Sequence, residues 1–134
     1  MDDIFVGRLM TSDPVTVSPD TLVEDAAQLM LDEAIGSLVV TDDDNQIRGI
    51  LTSTDFVAIV KESDPKAETT VERYMSTDVK TTTAQAPIEE VADLMLTEGI
   101  HHVPVVDETE GVIGIISTTD LTAYISTVQT PSPA

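Results

Sequence analysis

Two short stretches of the chain place a hydroxyl group and a carboxylate at the same spacing. Thr52 precedes Asp55 by three residues, and Ser117 precedes Asp120 by the same interval. Each pair lies where a predicted strand ends and a predicted helix begins, and the N-terminus of a helix attracts phosphate through its unpaired N–H groups. The hydroxyl can bond a phosphate or ribose oxygen, and the aspartate can accept bonds from both ribose hydroxyls. The pattern predicts a nucleotide contact at each junction.

The same spacing also has a purely structural interpretation. Ser/Thr-x-x-Asp is close to a capping box, in which the hydroxyl caps the helix and the acid bonds back to the backbone. A cap would persist through a duplication as well as a ligand site would. One hydroxyl can serve both purposes, so both interpretations stay open at this point.

The two stretches belong to a longer internal repeat. At an offset of 65 residues, 19 of the 55 positions in 6–60 are identical to their counterparts in 71–125. A match of this extent indicates a tandem duplication, which has to be recognised before any fold is assigned. We expect repeat 1 over residues 1–62, a linker over 63–70, repeat 2 over 71–126 and a flexible tail over 127–134.

Each repeat predicts the element order β-α-β-β-α. The segment SPDT at 18–21 is predicted to open the first long helix and Gly36 to end it, while Pro87 is predicted to start the equivalent helix of repeat 2. The strands SLVVT and IRGIL flank the turn DDDN, and HVPVVD and VIGIIS flank the turn ETEG. DDDN lacks the remaining ligands of a calcium loop, so a hairpin turn is predicted there.

One repeat of this size has a marginal core, which two repeats packed face to face would complete. The sequence therefore predicts an α/β (α+β) fold with tandem β-α-β-β-α repeats related by pseudo-two-fold symmetry.

The charge of the chain is strongly negative. Twenty-five acidic residues against six basic residues give a net charge of −19, which disfavours nucleic acid and anionic lipid as partners. Such acidity resembles that of proteins from halophilic archaea, since molar salt reduces the Debye length to about 3 Å and screens the self-repulsion. The chain has no cysteine, no apolar run of membrane-spanning length and no basic N-terminus typical of a signal peptide. We expect a cytoplasmic protein.

Taken together, the repeats resemble a CBS-domain pair, also called a Bateman module. The resemblance covers roughly residues 5–126, and the motifs that carry it are SLVVTDDDNQIRGILTSTDF in repeat 1 and HHVPVVDETEGVIGIISTTDL in repeat 2. It implies a stand-alone regulatory module rather than an enzyme. Candidate ligands are AMP, ADP, ATP and S-adenosylmethionine, with no required cofactor. It also implies a homodimer and a regulated protein partner.

The resemblance further implies two ligand clefts, each built from both repeats. The first cleft is predicted to use Asp13, Val15, Ile35, Gly36, Ser117 and Asp120. The second is predicted to use Asp78, Lys80, Ile100, His101, Thr52 and Asp55. Because a phosphate chain needs cationic compensation, the second cleft is the better candidate for AMP, ADP or ATP, and the first for a neutral or cationic adenosine derivative.

The neighbouring histidines His101 and His102 are not predicted to form a metal site, because adjacent strand residues point to opposite faces. At most one of them is expected to line the second cleft, and no metal site is predicted elsewhere.

Two alternatives to a ligand sensor remain. One is a structural dimerisation domain with vestigial clefts. The other, more distant, is a relative of inosine monophosphate dehydrogenase that lacks the catalytic barrel, for which the chain has no catalytic cysteine.

Overall fold

The computed structural model describes residues 4–62 and 68–128 of the chain. The helices are α1 (Val6–Leu9), α2 (Val23–Glu33), α3 (Ser53–Glu62), α4 (Val71–Tyr74), α5 (Ile88–Glu98) and α6 (Thr118–Val128). The strands are β1 (Thr11–Ser12), β2 (Thr16–Val17), β3 (Ser37–Thr41), β4 (Ile47–Thr52), β5 (His102–Asp107) and β6 (Gly111–Ser117). They form two three-stranded sheets, ordered β2-β3-β4 and β1-β6-β5, so the predicted α/β (α+β) class is confirmed.

The element order departs from the prediction before each long helix. The one-turn helices α1 and α4 precede the extended pieces, and the extended piece of repeat 2 forms only a single parallel bridge between Thr82 and Val105. Its sequence, VKTT, has Thr82 at the position where β2 of repeat 1 carries the buried Val17. The weaker apolar content explains why this piece does not extend into a regular strand.

The structure divides into two compact units that do not coincide with the two sequence repeats. Among the described residues, the first-repeat unit comprises 14–62, 68–79 and 109–112. The second-repeat unit comprises 4–13, 80–108 and 113–128. The segment that leads into each repeat therefore belongs to the unit of the other repeat. Most of the predicted linker and nearly all of the predicted tail lie outside the described residues, and the predicted domain boundaries stay a prediction.

In the first-repeat unit, β3 pairs in parallel with β2 and antiparallel with β4. All five residues of β3 are buried, as expected for a central strand covered on both faces. The core around it combines this strand with one face of α2 and with α4. Its buried members are Val17, Ala26, Met30, Leu38, Val40, Leu51 and Val71.

The second-repeat unit builds its sheet around β6. Strand β1 pairs antiparallel with β6, with Thr11 opposite Ile115 and Ser12 opposite Gly114. Farther back in the same segment, the N–H groups of Val6 and Gly7 donate to the carbonyls of Ala86 and Ala84 at 2.8 and 2.9 Å. The buried core consists of Val6, Val91, Met95, Val103, Val105 and Ile116.

The glycine of each GIL or GII run is required by close packing. A Cβ atom on Gly49 would lie 2.7 Å from the sulfur of Met75 and 2.8 Å from the carbonyl oxygen of Ser76. At Gly114 the corresponding distances are 2.6 Å to the sulfur of Met10 and 2.9 Å to the carbonyl oxygen of Thr11. These distances leave no room for a side chain. The segment around Met75 therefore packs directly on the backbone of β4, and the segment around Met10 packs on that of β6.

The turn DDDN forms the predicted hairpin. One carboxylate oxygen of Asp42 accepts bonds from the N–H groups of Asp44 and Gln46 at 2.9 and 3.0 Å. Asn45 has a left-handed backbone (φ 63°), and its side-chain amide donates to the carbonyls of Glu110 and Val112 at 2.8 and 2.7 Å. These bonds explain why residues 109–112 belong to the first-repeat unit.

The predicted ends of α2 were wrong at both termini. SPDT forms a turn, with the N–H of Thr21 bonded to the carbonyl of Ser18, and the helix begins only at Val23. It ends at Glu33, and the residue that turns left-handed is Ala34 (φ 55°) rather than Gly36. In repeat 2, Pro87 immediately precedes Ile88 as predicted, and the left-handed residue is Gly99 (φ 67°).

This difference predicts opposite effects of two matched substitutions. Ala34→Gly should stabilise the fold by roughly 1 kcal/mol, because a left-handed backbone is costly for alanine, and Gly99→Ala should destabilise it by a similar amount. A Cβ atom on Gly99 would have no neighbour within 4 Å, so backbone conformation alone sets the effect. Urea unfolding measures both; midpoints that shift in the same direction would contradict the explanation.

Candidate functional site

The junction between β4 and α3 holds the first hydroxyl–carboxylate pair. The N–H of Thr52 donates to Oδ2 of Asp55 at 2.8 Å, and the Thr52 hydroxyl lies 3.4 Å from the same oxygen. Both the N–H and the hydroxyl of Ser53 donate to the carbonyl of Gly36, at 3.1 and 3.3 Å. The junction is thus tied to the start of the neighbouring strand, where Ser37 pairs with Thr52.

The junction between β6 and α6 repeats this arrangement. The N–H of Ser117 donates to Oδ2 of Asp120 at 2.8 Å, and its hydroxyl donates to the same oxygen at 3.1 Å. The N–H of Asp120 in turn donates to the Ser117 hydroxyl at 3.3 Å. The N–H of Thr118 donates to the carbonyl of His101 at 3.0 Å, as Ser53 does to Gly36.

The structural interpretation of the motif is therefore confirmed in full at Ser117 and, at Thr52, for the carboxylate half only. Each aspartate bonds back to the backbone N–H at the strand end, and at Ser117 the bonds are reciprocal, as in a capping box. All of these carboxylate bonds use Oδ2, and Oδ1 of each aspartate takes no part in them. The capping bonds hold each carboxylate in a fixed orientation and leave Oδ1 outside the cap.

The twelve predicted site residues are shared between the units. The first-repeat unit contains Val15, Ile35, Gly36, Thr52, Asp55 and Asp78. The second-repeat unit contains Asp13, Lys80, Ile100, His101, Ser117 and Asp120. Each predicted cleft draws on both units, and the predicted pairing of residues across them stays a prediction.

Within each unit, the structure brings together residues that the prediction had assigned to different clefts. Gly36 lies beside the Thr52–Asp55 junction, and His101 lies beside the Ser117–Asp120 junction. The sequence contains the signal for this contact, because β3 and β4 form a hairpin that places the start of one strand opposite the end of the other.

The apolar site residues lie at the margins of the two cores. Val15 and Ile35 are half-buried against the core of the first-repeat unit, and Ile100 is half-buried against that of the second. Side chains in this position retain apolar surface that an adenine ring can cover. Asp13, at the end of β1, has a left-handed backbone (φ 52°), which aspartate tolerates better than most residues.

His102 has an altered acid–base equilibrium that the sequence did not predict. Burial lowers the pKa of His102 below its ordinary value, the nearby His101 lowers it further, and Asp120 opposes the shift. His101 itself is exposed and contributes its carbonyl to the junction. The more buried histidine is therefore the one coupled electrostatically to the site carboxylate.

The described residues contain neither a cluster of metal ligands nor a membrane-spanning helix. Within residues 4–62 and 68–128, no group of three histidine or acidic side chains is arranged to hold a metal ion. No helix in the same ranges has the length and apolar character needed to cross a membrane.

Comparison with known proteins gives consistent matches over nearly the whole chain. The sequence profile of the CBS domain matches residues 6–62 and 71–127. An uncharacterised 17.7 kDa protein of Acidianus ambivalens is 33% identical over 125 residues, which cover 93% of this chain and 75% of that protein. A homoserine O-acetyltransferase of Methanosalsum zhilinae is 39% identical over 125 residues, but these represent only 25% of its length.

A solved structure agrees with the fold described above. The CBS domain pair of protein MJ0100, in complex with 5′-methylthioadenosine and S-adenosyl-L-methionine, superposes with a TM-score of 0.87. The two chains are 25% identical, and the match covers 95% of this chain and 99% of that one.

The lowered pKa of His102 predicts a pH dependence of stability. An unfolded histidine titrates near about 6.5, so the unfolded state binds the proton first and folding stability falls as pH decreases below that value. His102→Gln should remove the loss of stability that sets in as the pH falls through about 6.5. Urea unfolding on both sides of that pH measures it.

The matched control is His101→Gln, which removes one of the causes of the shift and should reduce the slope only in part. An identical slope in the parent and in His102→Gln would contradict the assignment.

Proposed function

The chain belongs to the CBS-domain family, and we propose that it is a regulatory module that senses adenosine-containing ligands. The proposal rests chiefly on the duplicated junction between strand and helix. At each junction the capping hydrogen bonds of the aspartate use Oδ2 and do not involve Oδ1. A ribose donates from two adjacent hydroxyls, and a carboxylate is acceptor-only when ionised. The related domain pair that was solved with two adenosine-containing compounds supports the same ligand class.

Charge favours a cationic or neutral ligand in at least one cleft. A net charge of −19 opposes the approach of a polyphosphate unless salt or Mg²⁺ screens it. None of the six residues predicted for the first cleft is a cation, so we propose S-adenosylmethionine, whose sulfonium is positive, as its ligand. The second, with Lys80 and His101, is the better site for AMP, ADP or ATP.

The mechanism that we infer involves no bond-making. A ligand that contacts residues from both repeats binds one arrangement of the chain more tightly than another, and it shifts the equilibrium by that difference in affinity. The acetyltransferase activity of the Methanosalsum relative belongs to a protein four times as long as the matched region, so we do not assign it here.

The output of such a module is a change in association with itself or with a partner protein. We propose a homodimer, because exposed apolar side chains occur at equivalent positions in the two repeats. Leu31 on α2 and Leu96 on α5 are 76% and 84% exposed, and Val60 on α3 and Ile125 on α6 are also exposed. Such repeated exposure of large apolar groups is typical of an interface.

A structural dimerisation domain with vestigial clefts is the second candidate. The capping bonds of Asp55 and Asp120 favour it, because they account for both motifs without any ligand. The two candidates differ in whether an adenosine compound stabilises the protein.

Ligand binding predicts a rise in melting temperature. At molar KCl and a concentration of about 100 times Kd, S-adenosylmethionine or AMP should add about 2.7 kcal/mol and raise the Tm by several degrees. Asp55→Asn and Asp120→Asn should each reduce the shift for one ligand, because the amide accepts ribose bonds more weakly than the carboxylate.

The control for this experiment is Asp93→Asn, which makes the same charge change on the exposed face of α5. Shifts that are equal in all four proteins would contradict the site, and the absence of any shift would favour the structural alternative.

The homodimer predicts a change in mass on substitution of the exposed leucines. The parent should elute at twice the chain mass of 14.4 kDa in light-scattering chromatography. Leu31→Glu with Leu96→Glu should give the monomer, since each places a charge in an apolar contact. Gln46→Glu, in the exposed hairpin turn, is the control; a parent monomer, or a dimer unaffected by both leucine changes, would contradict the proposal.

A further inference from the structure

Within residues 4–62 and 68–128 the chain has four methionines, which the offset of 65 residues relates as two matched pairs. Met30 on α2 and Met95 on α5 lie in the two cores and are only 6% and 5% exposed. Met10 and Met75 pack at the margins of those cores and are half-buried. An oxidant in solution therefore reaches Met10 and Met75 in the folded protein, whereas it reaches Met30 and Met95 only when the core opens.

The side chains of Met10 and Met75 each fill the space above the glycine of the strand that leads to a junction. For Met75, the sulfur and Cγ lie 2.7 and 2.9 Å from the point that a Cβ atom on Gly49 would occupy. For Met10, the same two atoms lie 2.6 and 3.2 Å from the corresponding point on Gly114. A thioether is apolar and polarisable, so it packs well on such a surface. Neither contact leaves room for a further atom between the sulfur and the glycine.

The residues that follow each of these methionines form a short pairing with the same strand. Ser76 exchanges two backbone hydrogen bonds with Ile50, at 2.9 and 3.0 Å. Thr11, in the two-residue strand β1, lies opposite Ile115 of β6. A pairing of one or two residues is only marginally stable by itself. The packing of the sulfur on the glycine is therefore needed to keep each pairing closed.

Oxidation of the sulfur removes its preference for this position. Methionine sulfoxide is polar, whereas the thioether is apolar. Its oxygen is an acceptor that loses its hydrogen bonds to water when it is packed against the glycine backbone. Its added volume also exceeds the space that the contact provides. The sulfoxide is therefore more stable with the segment released from the strand than with the segment packed on it.

We propose that Met10 and Met75 are reversible oxidation sites, at which hydrogen peroxide converts the thioether to a sulfoxide and so releases the adjoining segment from its strand. A lone pair of the sulfur attacks one peroxide oxygen, so that an S–O bond forms and the O–O bond breaks. The sulfur gives up two electrons to the peroxide. The second oxygen leaves as hydroxide and takes the proton of the first, which yields water. Methionine sulfoxide reductases reverse this change.

The modification does not depend on any ligand, because it acts on two packing contacts of the fold. The released segments continue to Asp13 and Asp78, which are predicted for the first and the second cleft. A loss of adenosine affinity on oxidation would rest on the proposed function as well, so the tests of the modification use no ligand.

Treatment of the folded full chain with hydrogen peroxide, followed by peptide mass mapping, tests the selectivity. Met10 and Met75 should gain one oxygen atom at least about tenfold faster than Met30 and Met95, because the buried pair reacts only through opening of the core. In urea, where the chain is unfolded, all four should react at similar rates. Equal rates for the four methionines of the folded protein would overturn the proposal.

Amide hydrogen exchange tests the release of the segments. After oxidation, the amides of Ser76 and Ile50 should exchange at least about tenfold faster than before. Incubation with a methionine sulfoxide reductase should restore their slow exchange. Oxidation at Met75 without faster exchange, or faster exchange that the reductase does not reverse, would contradict the proposed switch.

Matched variants assign the effect to one sulfur. Met75→Leu removes the oxidisable atom and keeps an apolar side chain of similar volume. Peroxide should leave exchange at Ser76 unchanged in this variant and should still accelerate exchange across the Thr11–Ile115 pair. Met30→Leu is the control and should respond as the parent does in both places. A response of Met75→Leu at Ser76 that equals that of the parent would show that the sulfur of Met75 is not the site.

Discussion

The packing of a methionine and a carbonyl onto the backbone of Gly49 and Gly114 is the constraint on which the rest of the structure depends. The sulfur of Met75 and that of Met10 occupy the space that any side chain would need. This contact lets Ser76 form a bridge with Ile50 of β4 and lets β1 pair with β6. The side chains of a strand alternate between its two faces, so a register that is fixed at one residue is fixed along the whole strand. The contact at the glycine therefore also fixes the position of the residue that ends the strand, three residues later. The glycines thereby position Thr52 and Ser117.

The carboxylate at each strand end stabilises the fold through Oδ2, and its other oxygen is the one that we propose for a ligand. Its Oδ2 bonds to the backbone N–H of the strand end, which satisfies a donor that the helix leaves unpaired. The bond also restricts the side chain to one orientation before any ligand arrives, so little further entropy is lost on binding. Capping and the proposed ligand recognition are therefore compatible uses of one residue, and the capping bond recurs in both repeats.

Local patterns in the sequence were sufficient for the elements but not for their boundaries or partners. The apolar runs around DDDN and ETEG correctly predicted β3 to β6, because strand formation there depends on burial of consecutive apolar residues. The end of α2 was missed because the left-handed C-cap position, closed by N–H bonds to the carbonyls of Leu31 and Met30, is taken by Ala34 rather than by a glycine. The exchange of leading segments between the units was missed because it depends on pairs such as Thr11 and Ile115, which are far apart in the chain.

The central claim is that the junction carboxylates bind ribose while they cap their helices. A crystal structure of the chain grown with S-adenosylmethionine tests this most directly. We expect ribose hydroxyls within hydrogen-bond distance of Oδ1 of Asp55 or Asp120, with the Oδ2 bond to Thr52 or Ser117 retained. A ligand bound away from both carboxylates, or a ribose that binds only after the cap has broken, would contradict it.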